Sequence, residues 1–228
     1  MVKSLVMNEH PIYGDREREA VYRAIATRRD VRSGFLEEPL PDDLLRRLLA
    51  AAHSAPSVGL MQPSRFIVIR DLAVRTTIHG IFGEANAEAL ATYTGEQRER
   101  YASLKLEGIL EAPQNLCVVC DPTSPRGHKL GRHTMPDTAV YSTVCAIQNL
   151  WLAARTEGVG VGWVSILDPF RLRSVLNIPE HITPVAYLCL GYVSHFASEP
   201  ELERQGWESR APLEQVVFYD TFSEGPKS

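Results

Sequence analysis

Apolar positions along the chain recur first at helical spacing. In segment 15–28 a charged start gives way to Val21, Tyr22 and Ile25, which predicts a helix. After Pro41 a second helix carries Leu44, Leu45, Leu48 and Leu49 on one face. Asp42 and Asp43 occupy its first turn, where the helix dipole favours acids. The short runs RFIVIRD (65–71) and NLCVVCD (115–121) read as buried strands. Between them the spacing predicts two helices, about 73–92 and 96–111, the second polar until Leu104, Leu106 and Ile109.

Segment 137–157 carries the strongest helical pattern. Val140, Val144, Ile147, Trp151 and Ala154 mark one stripe, and Tyr141, Cys145, Gln148 and Leu152 the adjacent one, so burial on most sides is expected. A strand (159–166), a short helix (169–177) and a last strand (184–193) follow. The tail from 196 to 228 is polar and punctuated by Pro200, Pro212 and Pro226, which reads as an arm laid over a surface. Few strands mixed with several helices place the chain in the α+β class. Its 228 residues fit one domain, 1–228, with the C-terminal arm at about 196–228.

Composition narrows the partners. A net charge of −4 gives no general attraction to nucleic acid or to an anionic membrane, so any anion site must be local. No apolar run approaches the roughly 20 residues of a bilayer span. The start, MVKSLVMNEHPIYGD, breaks off at Asn8 to Pro11 before an apolar region develops, unlike a signal peptide. The expected location is the cytoplasm, with reduced cysteines. Cys117 and Cys120 form a CxxC, but within a β-type run positions three apart face opposite sides. With no second pair at ligand spacing, the four cysteines read as buried, unpaired thiols, and no metal site is expected.

Three stretches carry candidate chemistry. EGVGVGWVS (157–165) has the glycines of a nucleotide loop, yet it ends a helix and enters a strand. The dinucleotide fingerprint needs the opposite order. Gly158 therefore reads as a helix cap, and Gly160 and Gly162 as places where another backbone or a ligand comes close. AAHSAPSVGLMQPSRF (51–66) leaves a helix and enters a strand, a position where loops often carry ligand contacts. Ser57 and Gln62 there could hydrogen-bond a heteroaromatic ring, while His53 alone reads as structural. TRRDVRSGF (27–35) sets Asp30 among Arg28, Arg29 and Arg32. Arginines at this density suit an anion; the aspartate among them could instead form a loop salt bridge.

In this order, the arginine-rich turn, APS…QP, GVGVGW and a late SRAPLEQVV, the chain resembles the nitroreductase-like FMN flavoproteins over about residues 18–220. The resemblance implies a mixed central sheet flanked by helices in an intertwined homodimer. It implies that Arg28, Arg29 and Arg32, with Arg210 as the late basic partner, hold the FMN phosphate. It adds Val31, His53, Ser57, Gln62 and Leu104 to the binding set, and places Ser165 near the reactive edge of the flavin. The segment around Leu104, Lys105 and Leu106 would be a helical lid.

Three positions depart from the family's usual pattern: Asp30 for serine, Leu60 near an expected asparagine, and Ser64 for the tryptophan after QP. The acid at Asp30, in RRDVR, together with APSVGLMQP, SLKLEGI, YSTVCAIQNLWLAAR and GVGVGWVSI, resembles the branch of the family that destroys reduced FMN. That branch fragments reduced FMN with dioxygen to 5,6-dimethylbenzimidazole and D-erythrose 4-phosphate, for the lower ligand of cobalamin. Asp30 and Ser165 would then be catalytic, Asp30 either as a fixed anion or as a proton carrier. No metal is implied, and a separate flavin reductase would supply the reduced flavin. The alternatives are an NAD(P)H-dependent FMN nitroreductase and a non-catalytic flavin-binding protein.

Overall fold

A computed structural model describes residues 13–222. The N-terminal stretch read against a signal peptide lies almost wholly outside the described residues, as do residues 223–228 of the arm. Helices α1 (Asp15–Thr27) and α2 (Asp42–His53) precede strand β1 (Ser64–Ile69). Helices α3 (Leu72–Ala91) and α4 (Gly95–Ser103) lead to β2 (Gln114–Cys120). Then come α5 (Thr138–Thr156), β3 (Val159–Val164), α6 (Pro169–Leu176), β4 (Thr183–Tyr192) and one turn of helix, α7 (Glu201–Arg204).

The sheet has order β1-β2-β4-β3 and every neighbouring pair is antiparallel. It is not the mixed sheet that was expected. The excursions α3–α4 and α6 each leave and re-enter at the same end of the sheet, so the strands they join run in opposite directions. A parallel pairing occurs only as an isolated bridge, Asp30 with Val161.

Both sheet faces are covered. One core joins Leu44, Leu48, Ile147, Leu150 and Trp151 to Leu116, Val161 and Leu188. The other joins Ile78, Phe82 and Leu172 to Cys117, Val164 and Tyr187. Cys117 belongs to the second core and Cys120 to a third, smaller cluster, as strand alternation demands. Burial pushes Cys117 and Cys189 up to about 12, so these thiols stay protonated and inert.

Four expectations need correction. Cys145 is exposed rather than buried. Helix α5 buries Ala139, Thr143, Ala146, Ile147, Leu150, Trp151 and Ala154, but Tyr141, Cys145 and Gln148 of the adjacent stripe face out with Val144 of the first, and Leu152 is half-buried. The predicted helix 96–111 stops at Ser103. From Leu104 to Leu106 burial alternates with period two, and Glu107 accepts the Ile109 N–H at 2.7 Å, a local turn that ends any helix. Finally, the arm docks only as far as Trp207; Glu208 to Phe222 are exposed throughout.

Candidate functional site

The arginine stretch begins where α1 stops. Arg28 closes that helix, donating its N–H to Ala24, and the chain turns extended. Val31 is buried and its N–H donates to the Val161 carbonyl of β3 at 3.0 Å. Gly162 makes this approach possible, because a Cβ there would overlap the Val31 carbonyl oxygen. The sequence reading of close backbone approach at Gly162 is met by the loop itself. From α5, the Trp151 indole N–H donates to the Arg29 carbonyl (3.1 Å) and Arg155 Nε to the Thr27 carbonyl (3.1 Å).

So fixed, the loop orients its charges. Asp30 Oδ1 accepts the Trp163 backbone N–H at 2.9 Å, and Oδ2 accepts Arg32 Nε and Nη2 at 2.9 and 2.7 Å. Arg32 also donates Nη1 to the Lys105 carbonyl at 3.4 Å. Arg29 turns back onto the carbonyls of Ala26 (2.9 Å) and Arg28 (2.7 Å), and reaches that of Ser198. Arg28 lies over the Trp151 ring, 4.6 Å from its centroid.

Arg28, Arg29, Asp30, Arg32 and Arg210 line one cavity of about 180 Å³, closed on the far side by Pro200, Glu201 and Leu202. Partial burial holds the Arg28 pKa below its ordinary value. Asp30 opposes that shift, while Arg210 and Arg29 add to it by like-charge repulsion. Four guanidinium groups against the two carboxylates of Asp30 and Glu201 leave a local excess of positive charge, which suits a phosphate dianion. The structure thus brings together every arginine of the proposed phosphate set. It also shows two of them already committed: Arg29 to backbone carbonyls and Arg32 to Asp30.

Ser165 sits one residue past β3, exposed, beside a cavity of about 260 Å³ lined by Trp163, Leu167, Pro184 and Tyr187 among others. The Trp163 whose N–H holds Asp30 therefore links the two cavities. Leu104 is half-buried in extended chain and lines neither cavity, so the segment expected as a helical lid is a strand-like stretch.

His53, Ser57 and Gln62 form a separate group. Ser57 Oγ accepts the Gln62 N–H (3.0 Å), the Gln62 amide lies 3.3 Å from His53 Nε2, and its Oε1 accepts from Arg126 (2.9 Å). Gln62 and Leu60 are both in the left-handed region, at φ 48° and 54°. Ser64, in the place of the family's tryptophan, donates to Thr143 on α5 at 3.3 Å. The small cavity around this loop shares no residue with the arginine cavity or the Ser165 cavity.

Several parts of the site escaped sequence reasoning: Trp151 and Trp163, the Lys105 carbonyl, and the wall from Pro200 to Leu202. Lys105 is held by Glu107 (2.7 Å) and Glu111 (2.8 Å), and Glu107 is buried. The alternation of Leu104, Lys105 and Leu106 was the one signal of extended chain there.

The sequence model described as the nitroreductase family matches residues 25–192. The chain belongs to the nitroreductase family. Within the family it is 46% identical to the 5,6-dimethylbenzimidazole synthase of Rhodospirillum rubrum, covering 90% of this chain and 97% of that one. A protein of the same description from Rhodobacter capsulatus is 42% identical, over 86% and 95%. An NADH dehydrogenase of Thermus thermophilus is 29% identical, over 86% and 94%. Among solved structures, iodotyrosine deiodinase bound to FMN and 3-iodo-L-tyrosine superposes with a TM-score of 0.71 at 22% identity, covering 89% of this chain and all of that one. That likeness establishes the fold. Among the described residues no helix is long and apolar enough to cross a membrane, and no group of His, Cys, Asp and Glu could hold a metal.

Proposed function

We propose that this chain fragments reduced FMN with dioxygen, yielding 5,6-dimethylbenzimidazole and D-erythrose 4-phosphate for the lower ligand of cobalamin. The observation that carries the reading is the 46% identity spanning 97% of the Rhodospirillum rubrum relative. The arginine cavity fits the substrate's phosphate: its basic groups outnumber its acids, and like-charge repulsion there is relieved by an anion. Reduced FMN would supply the electrons for oxygen chemistry that needs no metal.

Each residue then has a task. Arg28, Arg32 and Arg210 hold the phosphate, and Arg29 shapes the loop through its backbone contacts. Asp30, joined to Arg32 on one side and to the Trp163 N–H on the other, stands between the phosphate cavity and the strand that leads to Ser165. From there it orients the flavin or moves a proton during cleavage. The Ser165 hydroxyl can donate and accept at the second cavity.

We further propose a cytoplasmic homodimer. Helix α1 buries no residue, leaving Val21, Tyr22 and Ile25 exposed at 53, 67 and 48%. The outward stripe of α5 adds Tyr141 and Val144. Apolar surface on this scale suits an interface. A second copy would also bring a Ser57–Gln62 loop to an arginine cavity that lacks it within one chain. A stable monomer at micromolar concentration in sedimentation would overturn this part. A separate flavin reductase would supply the reduced flavin.

The test of function is incubation with excess reduced FMN in air, followed by chromatography. The expected outcome is dimethylbenzimidazole appearing as flavin disappears. Steady NAD(P)H oxidation with nitroaromatics and no flavin loss would instead mark a nitroreductase. Simple reoxidation of the flavin would mark a binding protein.

A further inference from the structure

The far wall of the arginine cavity is built from the arm: Pro200, Glu201 and Leu202 at the start of α7, and Arg210 shortly after it. Arg210 is itself exposed, and a long side chain on an exposed segment loses much rotamer freedom when held in one place. Something must hold that segment. Helix α7 ends in a paired-hydrogen-bond turn. Gly206 adopts φ 65° with its N–H donating to the Glu203 carbonyl (3.0 Å), while the Trp207 N–H donates to the Leu202 carbonyl (2.9 Å).

That turn seats the Trp207 indole on two tyrosines. Tyr93 and Tyr101 stack on each other with centroids 4.8 Å apart, and the indole meets them edge-on at 5.6 and 6.0 Å. The seat is firm. Tyr101 is buried, its hydroxyl donates to Asn86 of α3 at 2.9 Å, and Arg100 donates to the Gly206 carbonyl at 3.2 Å. The same helix α4 runs on into Lys105, whose carbonyl accepts from Arg32. One helix therefore fixes the settings of two cavity arginines, Arg32 through its C-terminal extension and Arg210 through Trp207.

We propose that Trp207 is a positioning residue: by pinning the arm to α4 it holds Arg210 at the cavity and makes the site select phosphorylated flavin over riboflavin. The proposal rests on the reading of the arginine cavity as the phosphate site. Trp207 is not itself part of the cavity's lining, and its contact with the Leu202 wall is a backbone hydrogen bond that a side-chain substitution leaves in place, so the indole acts on the site through the arm that carries Arg210.

The experiment measures equilibrium binding of FMN and of riboflavin to the full chain, in wild type, Trp207→Ala, Trp207→Phe and Arg210→Ala. Trp207→Ala should weaken FMN binding about tenfold, equivalent to about 1.4 kcal/mol, and leave riboflavin binding within about twofold of wild type. Trp207→Phe, which keeps an aromatic ring on the tyrosines, should recover most of the loss. The double variant Trp207→Ala with Arg210→Ala should bind FMN no worse than Arg210→Ala alone, because both changes remove one interaction. In turnover the loss should appear in KM for reduced FMN and leave kcat unmoved. Unchanged FMN affinity in Trp207→Ala, or an equal loss of FMN and riboflavin, overturns the proposal. If Arg210→Ala also binds FMN like wild type, the phosphate reading fails with it; if Arg210→Ala is weak and Trp207→Ala is not, only the pin fails.

Discussion

The loops 28–32 and 57–62 both leave the C-terminus of a helix, and both were read from sequence as flavin contacts, yet they are held in opposite ways. The first is locked onto β3 by backbone: Val31 bonds Val161, and Gly162 yields the space. Its charges are thereby fixed within one chain. The second is held by side-chain bonds, Ser57 to Gln62, Gln62 to His53 and Ser142 to Val58, and by the turn around Gly127, with two non-glycine residues at positive φ. Strain of that kind persists where surrounding structure overdetermines it, and it is common at ligand contacts. The first loop lines the arginine cavity and the second a cavity that shares no residue with it, so on the proposed reading each is a half-site.

The largest expected effect breaks the first lock. Gly162→Ala places a Cβ onto the Val31 carbonyl oxygen, backbone against backbone, so neither partner can swing aside. The expected cost is about 3 kcal/mol or more, at the upper end for overpacking, read as a fall in Tm with loss of flavin binding. Gly158→Ala is the control. It meets open space but sits at φ 75°, so it should cost only about 1 kcal/mol and leave binding intact. Equal effects of the two would show that the Val31 approach does not organise the site.

Asp30→Asn comes next, since it acts inside the locked loop without removing it. Asparagine keeps one acceptor oxygen, enough for the Trp163 N–H or for Arg32 but not for both as the carboxylate serves them. FMN affinity should fall by no more than about tenfold. Dimethylbenzimidazole formed per bound flavin should fall by about a hundredfold or more, the scale of a lost general acid or base. Wild-type yield would reduce Asp30 to the salt bridge with Arg32 that the structure displays.

How much of this was legible beforehand depends on what kind of interaction set each feature. Periodicity located α2, β1, β2, α5 and β3, because burial against a sheet imposes a fixed repeat on the residues that do it, and it located α1 by a stripe that is exposed in this chain. The glycines of GVGVGW were readable as a close approach, since no other residue type makes room for a backbone. Strand direction was not readable: nothing in an apolar run records which end of the sheet a helix returns to. The outward stripe of α5 looked buried because Tyr141, Val144 and Cys145 are residue types that a core helix also carries. The arm wall and the Trp207 seat depend on contacts between segments more than 100 residues apart, which leave no local pattern.

Arg32→Ala tests the charges rather than the frame. It removes a proposed phosphate donor and also frees Asp30 Oδ2 from its two donors, so affinity and product yield should both fall. FMN binding should weaken by about 1.5–3 kcal/mol, the range for a hydrogen bond to a charged group. An equivalent change in the other loop, Gln62→Ala, should weaken binding less, because Gln62 is neutral and its partners are His53 and Arg126. The two titrations side by side decide which half-site carries the affinity.

The smallest expected effect lies at Ser165, which belongs to neither loop but follows the strand onto which the first loop is locked. Ser165→Gly deletes one exposed hydroxyl and no charge, and the backbone that holds Asp30 through Trp163 stays in place. Affinity for FMN should be nearly unchanged, because the phosphate end is untouched. Product per bound flavin should fall by less than about tenfold, in keeping with one neutral hydrogen bond worth about 1 kcal/mol. The decisive measurement is the ratio of dimethylbenzimidazole to reoxidised flavin after a single cycle in air. A loss as deep as that of Asp30→Asn would move the main chemical burden from the arginine loop to the end of β3, and the aspartate would then serve chiefly to hold Arg32 and the strand together.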